Sequence, residues 1–490
     1  MSEGNFKAGE VALDSVTLVN QEGEVIDLTN LAVSIDIFEG IDNPFLSGRI
    51  SILDGMGIFR KYKIFGQEHI TIRYRTKQGV GEFTEGDFAV EKAFRVYKIT
   101  DMLNHDSRYT YVLHICEPKL FTVTQTRLSK VLRGSYSEIL LQTLLKDAQF
   151  EKLPENNSIE FWEESLPENQ QIVCPNWTIR RLIDYIKDSA NLGENAVYKN
   201  SMFFYQSLVG GFRFMSLNKM ISGDMDFVLP FSSEPRNQKI ESENVDVDDP
   251  TDGINTQILN FEIQKKGDTL HGMTTGAYAS RLKTYDPIRK LEKDVVFDLG
   301  ENYDKKGKNH MSGFPTVRLN DDIIVHQAEE SLTAEEDITY SEIGAEQPMN
   351  KIFDAKHIYR VNHTNAFSDS AILNDTSQFI GNEYLDSGLL ERNSMLHHLS
   401  SHVYKVTIPI RSDLSAGMVV TLRLPGGAIE QNEVDELDDQ RFLITKIHHI
   451  VSPLSGDGTM VLQCVKESLA GLIKEQEALK DYEGPTGPND

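Results

Sequence analysis

Val33 to Asp54 reads VSIDIFEGIDNPFLSGRISILD, and its patterning decides the fold class. Val33, Ile35 and Ile37 alternate with Ser34 and Asp36, the two-residue period of a strand with one buried face. Glu39 to Pro44 supplies turn chemistry: Gly40 tolerates positive φ, Asp42 and Asn43 can bond their own backbone, and Pro44 fixes φ while lacking a donor. Alternation resumes with Leu46, Ile50 and Ile52 on one face and Ser47, Arg49 and Ser51 on the other. The stretch reads as a β-hairpin of an antiparallel unit, and nothing in it forms a catalytic pattern.

Further strands follow at Ile70 to Arg75 (ITIRYR), Phe94 to Thr100 (FRVYKIT) and Tyr109 to Cys116 (YTYVLHIC). Asn104 to Ser107 supplies the turn between the last two, and Met56 to Tyr62 one short helical turn. Short alternating strands of this kind suggest a small β-barrel or sandwich, and a barrel is the expected domain over 1–120. From about 120 the period becomes helical. Ser135 and Glu138 form a capping-box pattern ahead of Ile139, Leu140, Leu144, Leu145 and Ala148. Thr178 caps a second helix whose Ile179, Leu182, Ile183 and Ile186 share one face. Strands at Ala196 to Lys199, Met202 to Gln206 and Gly211 to Leu217 complete an expected α+β domain over 121–231.

Residues 232–253 hold little apolar content and read as a linker or long loop, before strand alternation returns at Ile258 to Gln264. Mixed polar runs over 265–395, with strands at Val295 to Leu299 and Ile352 to His357, suggest an inserted domain of unclear fold. The segment 403–467 then repeats the first domain's order. ITIRYR at 70–75 is echoed by VTLRLP at 420–425, FRVYKIT at 94–100 by FLITKIH at 442–448, and VLHIC at 112–116 by VLQCV at 461–465, at nearly equal intervals. The alternative is two unrelated barrels sharing a strand vocabulary. The expected fold class is mainly β with an α+β domain: two antiparallel β-barrels, the second built from 232–264 and 396–470, plus the insertion and an acidic tail at 471–490.

A chain of 490 residues holds about three or four domains. Its 39% hydrophobic content and mean hydropathy of −0.36 are ordinary for soluble globular protein. A net charge of −26 argues against binding nucleic acid by neutralising phosphates. Cys116, Cys174 and Cys464 lie far apart without CxxC spacing, which points to buried free thiols in a reducing compartment. The N-terminus lacks a signal-peptide pattern, and no apolar run reaches membrane-spanning length.

The search for chemistry is negative, with no catalytic, cofactor-binding or metal residues assigned. His397, His398 and His402 offer two imidazoles at helical spacing, but no glutamate completes a zinc-protease motif. His448 and His449 are neighbours in a strand and point to opposite faces. The run Asp246, Asp248, Asp249, Asp252 and Gly253 lacks the twelfth-position Glu of a calcium loop and places Pro250 at a ligand position. Trp162 and Trp177 are read as packing residues of the α+β domain. No phosphate-binding glycine loop or nucleophile elbow is present.

The opening hairpin, the helix preceded by Pro175-Asn176-Trp177, the strands FFYQS and GFRFMSL, and the ending from Ser415-Ala416-Gly417-Met418 through FLITKIHHIVSP to MVLQCVKESL resemble the baseplate central hub proteins of T-even-like contractile-tailed bacteriophages. The related type VI secretion spikes share the double-barrel plan. The likeness covers roughly 30–230 and 395–470 as scattered blocks, and the long middle segment departs from it. It implies two tail-tube-like barrels per chain and a homotrimer forming a pseudo-six-fold ring between tail tube and three-fold spike. It further implies a virion baseplate location after assembly in the host cytoplasm. The implied partners are the central spike protein, the tail tube or tube-initiator ring, the tape measure protein and the surrounding baseplate wedge proteins. DNA would be met only in passage, past a wall whose carboxylates do not grip phosphates, and no stable membrane association is implied. Ile41, Asp42, Asn43, Pro44, Phe45 and Leu46 are expected near the ring contacts. The competing expectation is a baseplate-associated cell-wall-binding or cell-wall-degrading protein with its site in 265–395.

Overall fold

The alternation that opens the chain becomes seven strands: β1 (Val11–Val19), β2 (Val25–Asp27), β3 (Ala32–Gly40), β4 (Ser47–Asp54), β5 (His69–Thr76), β6 (Phe88–His105) and β7 (Arg108–Cys116). One helical turn, α1 (Ile58–Lys61), lies between β4 and β5. The computed structural model describes residues 8–76, 88–105, 108–150, 162–165, 170–190, 192, 201–223, 227–231, 257–286, 291–299, 356–361, 383–424 and 439–467. β3 and β4 form the expected hairpin, with Ile35 opposite Ile50 and Phe38 opposite Ser47. Ile35, Ile37, Ile50 and Ile52 are buried. Val33 is only half-buried, because a bulge between Ala32 and Ser34 turns Ala32 into the core in its place.

The second region comprises α2 (Lys119–Gln125), β8 (Arg127–Leu128), β9 (Val131–Gly134), α3 (Tyr136–Gln142), β10 (Gln170–Val173), β11 (Trp177–Thr178), α4 (Ile179–Ser189), β12 (Met202–Ser207), β13 (Gly211–Ser216) and α5 (Leu217–Ile221). A π-helical turn over Thr143–Asp147 continues α3. Both caps form: Ser135 Oγ accepts from the Glu138 N–H and Thr178 Oγ1 from the Arg181 N–H, each at 3.2 Å. Ile179, Leu182, Ile183 and Ile186 are all buried, in one cluster with Phe204, Phe212 and Phe214. The strand expected at Ala196 to Lys199 lies outside the described residues, as do the linker 232–253 and the tail 471–490.

The remaining elements are β14 (Phe227–Pro230), β15 (Asn260–Lys266), α6 (Thr269–Thr275), β16 (Ala279–Asp286), β17 (Leu291–Asp298), β18 (Lys356–Val361), α7 (Glu383–Leu399), β19 (His402–Pro409), β20 (Val419–Arg423), β21 (Asp439–Ser452) and β22 (Asp457–Lys466). β16 lies between antiparallel β17 and parallel β18, and Leu282 and Phe297 of that small sheet share a core with Leu390 of α7. Phe227–Pro230, which a division at 231 assigns to the α+β domain, runs parallel to β20 in the large sheet.

The fold is mainly β, and its two barrels repeat one plan within a 13-stranded sheet. Strands follow the order β3-β4-β7-β6-β5-β1 in the first and β15-β19-β22-β21-β20-β14 in the second. All pairings are antiparallel except β14 with β20. Registers repeat as well: Ile70 faces Phe94 as Val420 faces Phe442, and Val96 faces Ile115 as Ile444 faces Cys464. Both long strands carry a bulge at the same place, Tyr97 in β6 and Thr445 in β21, each just before a Lys-Ile pair. One hydrophobic cluster runs through both barrels.

Candidate assembly interface

The two barrels are joined edge to edge. β3 pairs antiparallel with the second half of β21, from Gly40 opposite Lys446 to Ile35 opposite Val451. Strand parity sorts the side chains at this joint onto two faces. Ile35, Ile37 and Glu39 point into the barrels with Ile447, His449 and Val451. Asp36 and Phe38 lie on the other face with Lys446 and His448.

The inward face holds one acid on an apolar track, and the outward face is mostly polar. Glu39 is 3% exposed, and its carboxylate accepts from the Leu208 N–H at 3.0 Å and the Ala416 N–H at 2.7 Å, with His449 Nε2 3.6 Å away. One carboxylate thus ties β3 to the α+β domain and to the loop before β20. On the opposite face His448 Nε2 lies 2.7 Å from Asp36 Oδ1, Arg49 Nε donates to Asp36 Oδ2 at 3.0 Å, and the Phe38 and His448 rings stack at 4.5 Å. Burial pushes the Asp36 carboxyl up, and the bonds from His448 and Arg49 outweigh it, holding the group below its usual 3.8. Lys446 Nζ reaches Asp42 at 3.4 Å at the rim.

The hairpin turn itself is mostly internal. Ile41 is buried with Tyr205 and Val465, Phe45 with Phe204 and Phe212, and Leu46 with the barrel core, so three consecutive apolar anchors enter three different clusters. Pro44 is also buried, leaving Asp42 and Asn43 exposed. The Leu46 N–H donates to Gln206 Oε1 at 3.1 Å, and Gln206 Nε2 to Glu117 at 2.6 Å. Gly417 completes the fit: its φ is +86°, and a Cβ there would lie 2.2 Å from Tyr205 Oη. The apolar residues expected at ring contacts therefore face this chain's own domains.

Asp36, Glu39 and Gln206 take no role from the sequence, which marks His449 only as a neighbour of His448. The available signal was parity: Glu39 continues the Ile35–Ile37 face and His449 the Ile447–Val451 face, so each is a polar group on a core track. His448 and His449 do point to opposite faces. His398 and His402 do not share a helical turn, because α7 ends at Leu399 and His402 opens β19. Trp162 packs on Phe204 and Phe214, and Trp177 on Tyr185. Among the described residues, no three His, Cys, Asp or Glu side chains gather as a metal site, and no helix is long and apolar enough to cross a membrane. The acidic run at 246–253 and most of 300–382 lie outside the described residues.

The face of the shared sheet turned away from the barrel cores has a mixed charge. It carries Lys98, Arg49, Lys405 and Lys446 against Asp36 and Glu262, so it is not a carboxylate wall. The repeats match here too, Lys98 corresponding to Lys446, Arg49 to Lys405 and Asp36 to Glu262. Many of the chain's acids instead fall in 232–256, 300–355 and 425–438.

No protein-family model and no curated protein matches the chain. Several solved structures resemble it. The tail protein from Neisseria meningitidis MC58 aligns at 11% identity, covering 92% of this chain and 96% of that one, with a TM-score of 0.47. The 43 kDa tail protein of prophage MuSo2 from Shewanella oneidensis aligns at 11% identity over 93% and 99%, with a TM-score of 0.46. The E. coli c3393 protein, a type VI secretion component described as structurally similar to the T4 tail proteins gp27 and gp5, aligns at 8% identity over 94% and 78%, with a TM-score of 0.34.

Proposed function

We propose that this chain is a structural hub of a contractile phage tail baseplate, acting as a homotrimer whose two barrels per chain give six quasi-equivalent units around one axis. The observation that carries this reading is the head-to-tail joint between two repeats that share strand order, the registers around Phe94 and Phe442, and the bulge at Tyr97 and Thr445. A joint that uses a different edge of each equivalent unit is heterologous, and repeating it gives a ring where the rotation per unit closes. A ring of this kind offers a six-fold-like face to a tail tube or tube-initiator ring and a three-fold face to a central spike.

Its work is geometric and involves no chemical step. In this reading the sheet face bearing Lys98, Arg49, Lys405 and Lys446 lines the bore through which DNA passes after the spike leaves. Tape measure and wedge proteins are the remaining neighbours in the virion baseplate, with assembly in the host cytoplasm. Of the turn residues, Asp42 and Asn43 remain available for ring contacts. Light scattering on the purified chain tests the assembly: a mass of three chains supports it, and a closed dimer contradicts it.

A further inference from the structure

Each strand of the internal joint has a counterpart with an unpaired edge among the described residues, β15 at one end of the sheet and the second half of β6 in the first barrel. β21 pairs with β22 through one edge and, over Lys446–Val451, with β3 through the other. β6 pairs with β7 but with β5 only from Phe88 to Arg95, so the corresponding edge of Lys98–Leu103 has no strand beside it among the described residues. At the far end β15, the counterpart of β3, pairs with no strand but β19 among the described residues. Unpaired edges of this kind accept a further strand. Their flanks expose apolar side chains: Tyr97, Met102 and Leu103 beside one, Ile263 on the other.

We propose that β15 of one copy adds to β6 of a second copy in the register of the internal joint. Matching the β3–β4 pairing to the β15–β19 pairing equates Phe38 with Lys265, Glu39 with Lys266 and Gly40 with Gly267. Gly267 then lies opposite Lys98, Lys266 opposite Ile99, and Lys265 opposite Thr100. This rests on the ring reading above and supplies its inter-chain contact.

Charge and shape agree at this register. In the internal joint Lys446 reaches Asp42 just beyond Gly40. In the proposed one Lys98 meets Asp268 just beyond Gly267, and Lys265 and Lys266 come beside Asp101. Ile41, the residue after Gly40, is buried in a cluster with Leu443 and Val465. The counterpart of Val465 is Cys116, and there the first barrel has an open cavity of about 240 Å³ lined by Tyr97, Cys116, Leu120, Phe121, Thr124 and Gln125. Leu270, in the segment following Gly267, is 77% exposed. The partner's cavity is its seat.

The Ile41 N–H donates to the Thr445 C=O at 3.0 Å, which makes Phe38–His448 a non-hydrogen-bonded pair, the kind with the closest Cα atoms. Their counterparts Lys265 and Thr100 are therefore the positions for a disulfide. Oxidising the full-length chain with Thr100→Cys and Lys265→Cys is expected to give covalent trimers on denaturing electrophoresis, while each single variant gives none. Leu270→Glu changes an exposed position, so circular dichroism should be unaltered while the trimer's dissociation constant rises by about tenfold or more. Trimers that neither crosslink nor respond to Leu270→Glu overturn the register and leave the ring reading standing. A chain that stays monomeric at high concentration and does not crosslink overturns both.

Discussion

His448 Nε2 and Asp36 Oδ1 meet at 2.7 Å across the line where one barrel ends and the next begins. Arg49 holds the other oxygen, so the carboxylate is fixed from both barrels. Its folded-state pKa is depressed, so its stabilisation is fully present above about pH 4 and is lost as the pH falls through the folded value. Asp36→Asn is expected to cost about 2 kcal/mol at neutral pH and to flatten the acid limb of the stability curve. Urea denaturation across the acid range checks this. A variant curve parallel to the parent would show that the pair contributes no pH dependence.

Glu39 is the second tie, joining β3 to the backbone of Leu208 and Ala416. Glu39→Gln keeps the shape but turns an amide NH₂ toward one of those donors. The expected loss is about 1–3 kcal/mol, the cost of a buried donor left without an acceptor. Chemical denaturation measures it, and a loss within error of zero would mean that the two N–H groups find other acceptors.

Phe45 and Asn43 sit two residues apart in one turn with opposite burial. Phe45 contacts Phe204 and Phe212 edge-on, with centroids at 6.4 and 5.8 Å. Phe45→Ala should cost about 3–5 kcal/mol by opening a cavity between the hairpin and the α+β domain. Asn43→Ala, at an exposed site, should stay within about 0.5 kcal/mol. Thermal melts of the two variants side by side read the contrast.

The three thiols should be silent in the native chain. Burial pushes Cys116 up to about 11 and Cys464 up to about 12, and raises Cys174 as well. Alkylation at pH 8, followed by mass spectrometry, is expected to leave all three unmodified until urea unfolds the protein. Rapid native labelling of Cys464 would contradict its burial in the second barrel core.

The barrels were legible because strand parity and repeated vocabulary are local signals. Ile70 aligns with Val420, and Phe94 with Phe442, from residue type and spacing alone, and the structure pairs Ile70 with Phe94 as it pairs Val420 with Phe442. The caps at Ser135 and Thr178 were equally local. The joint was not legible, since the pairing of β3 with β21 brings together residues some 410 positions apart, and no single-strand pattern names its partner. The Val33 bulge escaped because alternation reads the same across it until one residue is extra. Asp42, Asn43 and Pro44 mark the turn but not its burial, and the flanking Ile41, Phe45 and Leu46 anchor three different cores.

The central claim is a ring of six like units built from three chains. Cryo-electron microscopy of the purified chain, classified without imposed symmetry, tests it most directly. The expected result is three-fold particles with a central hole and six similar inner lobes, in which β15 of each chain abuts β6 of the next. Closed two-fold dimers would contradict it, whereas rings in which the lobes contact through other edges would overturn only the β15–β6 register.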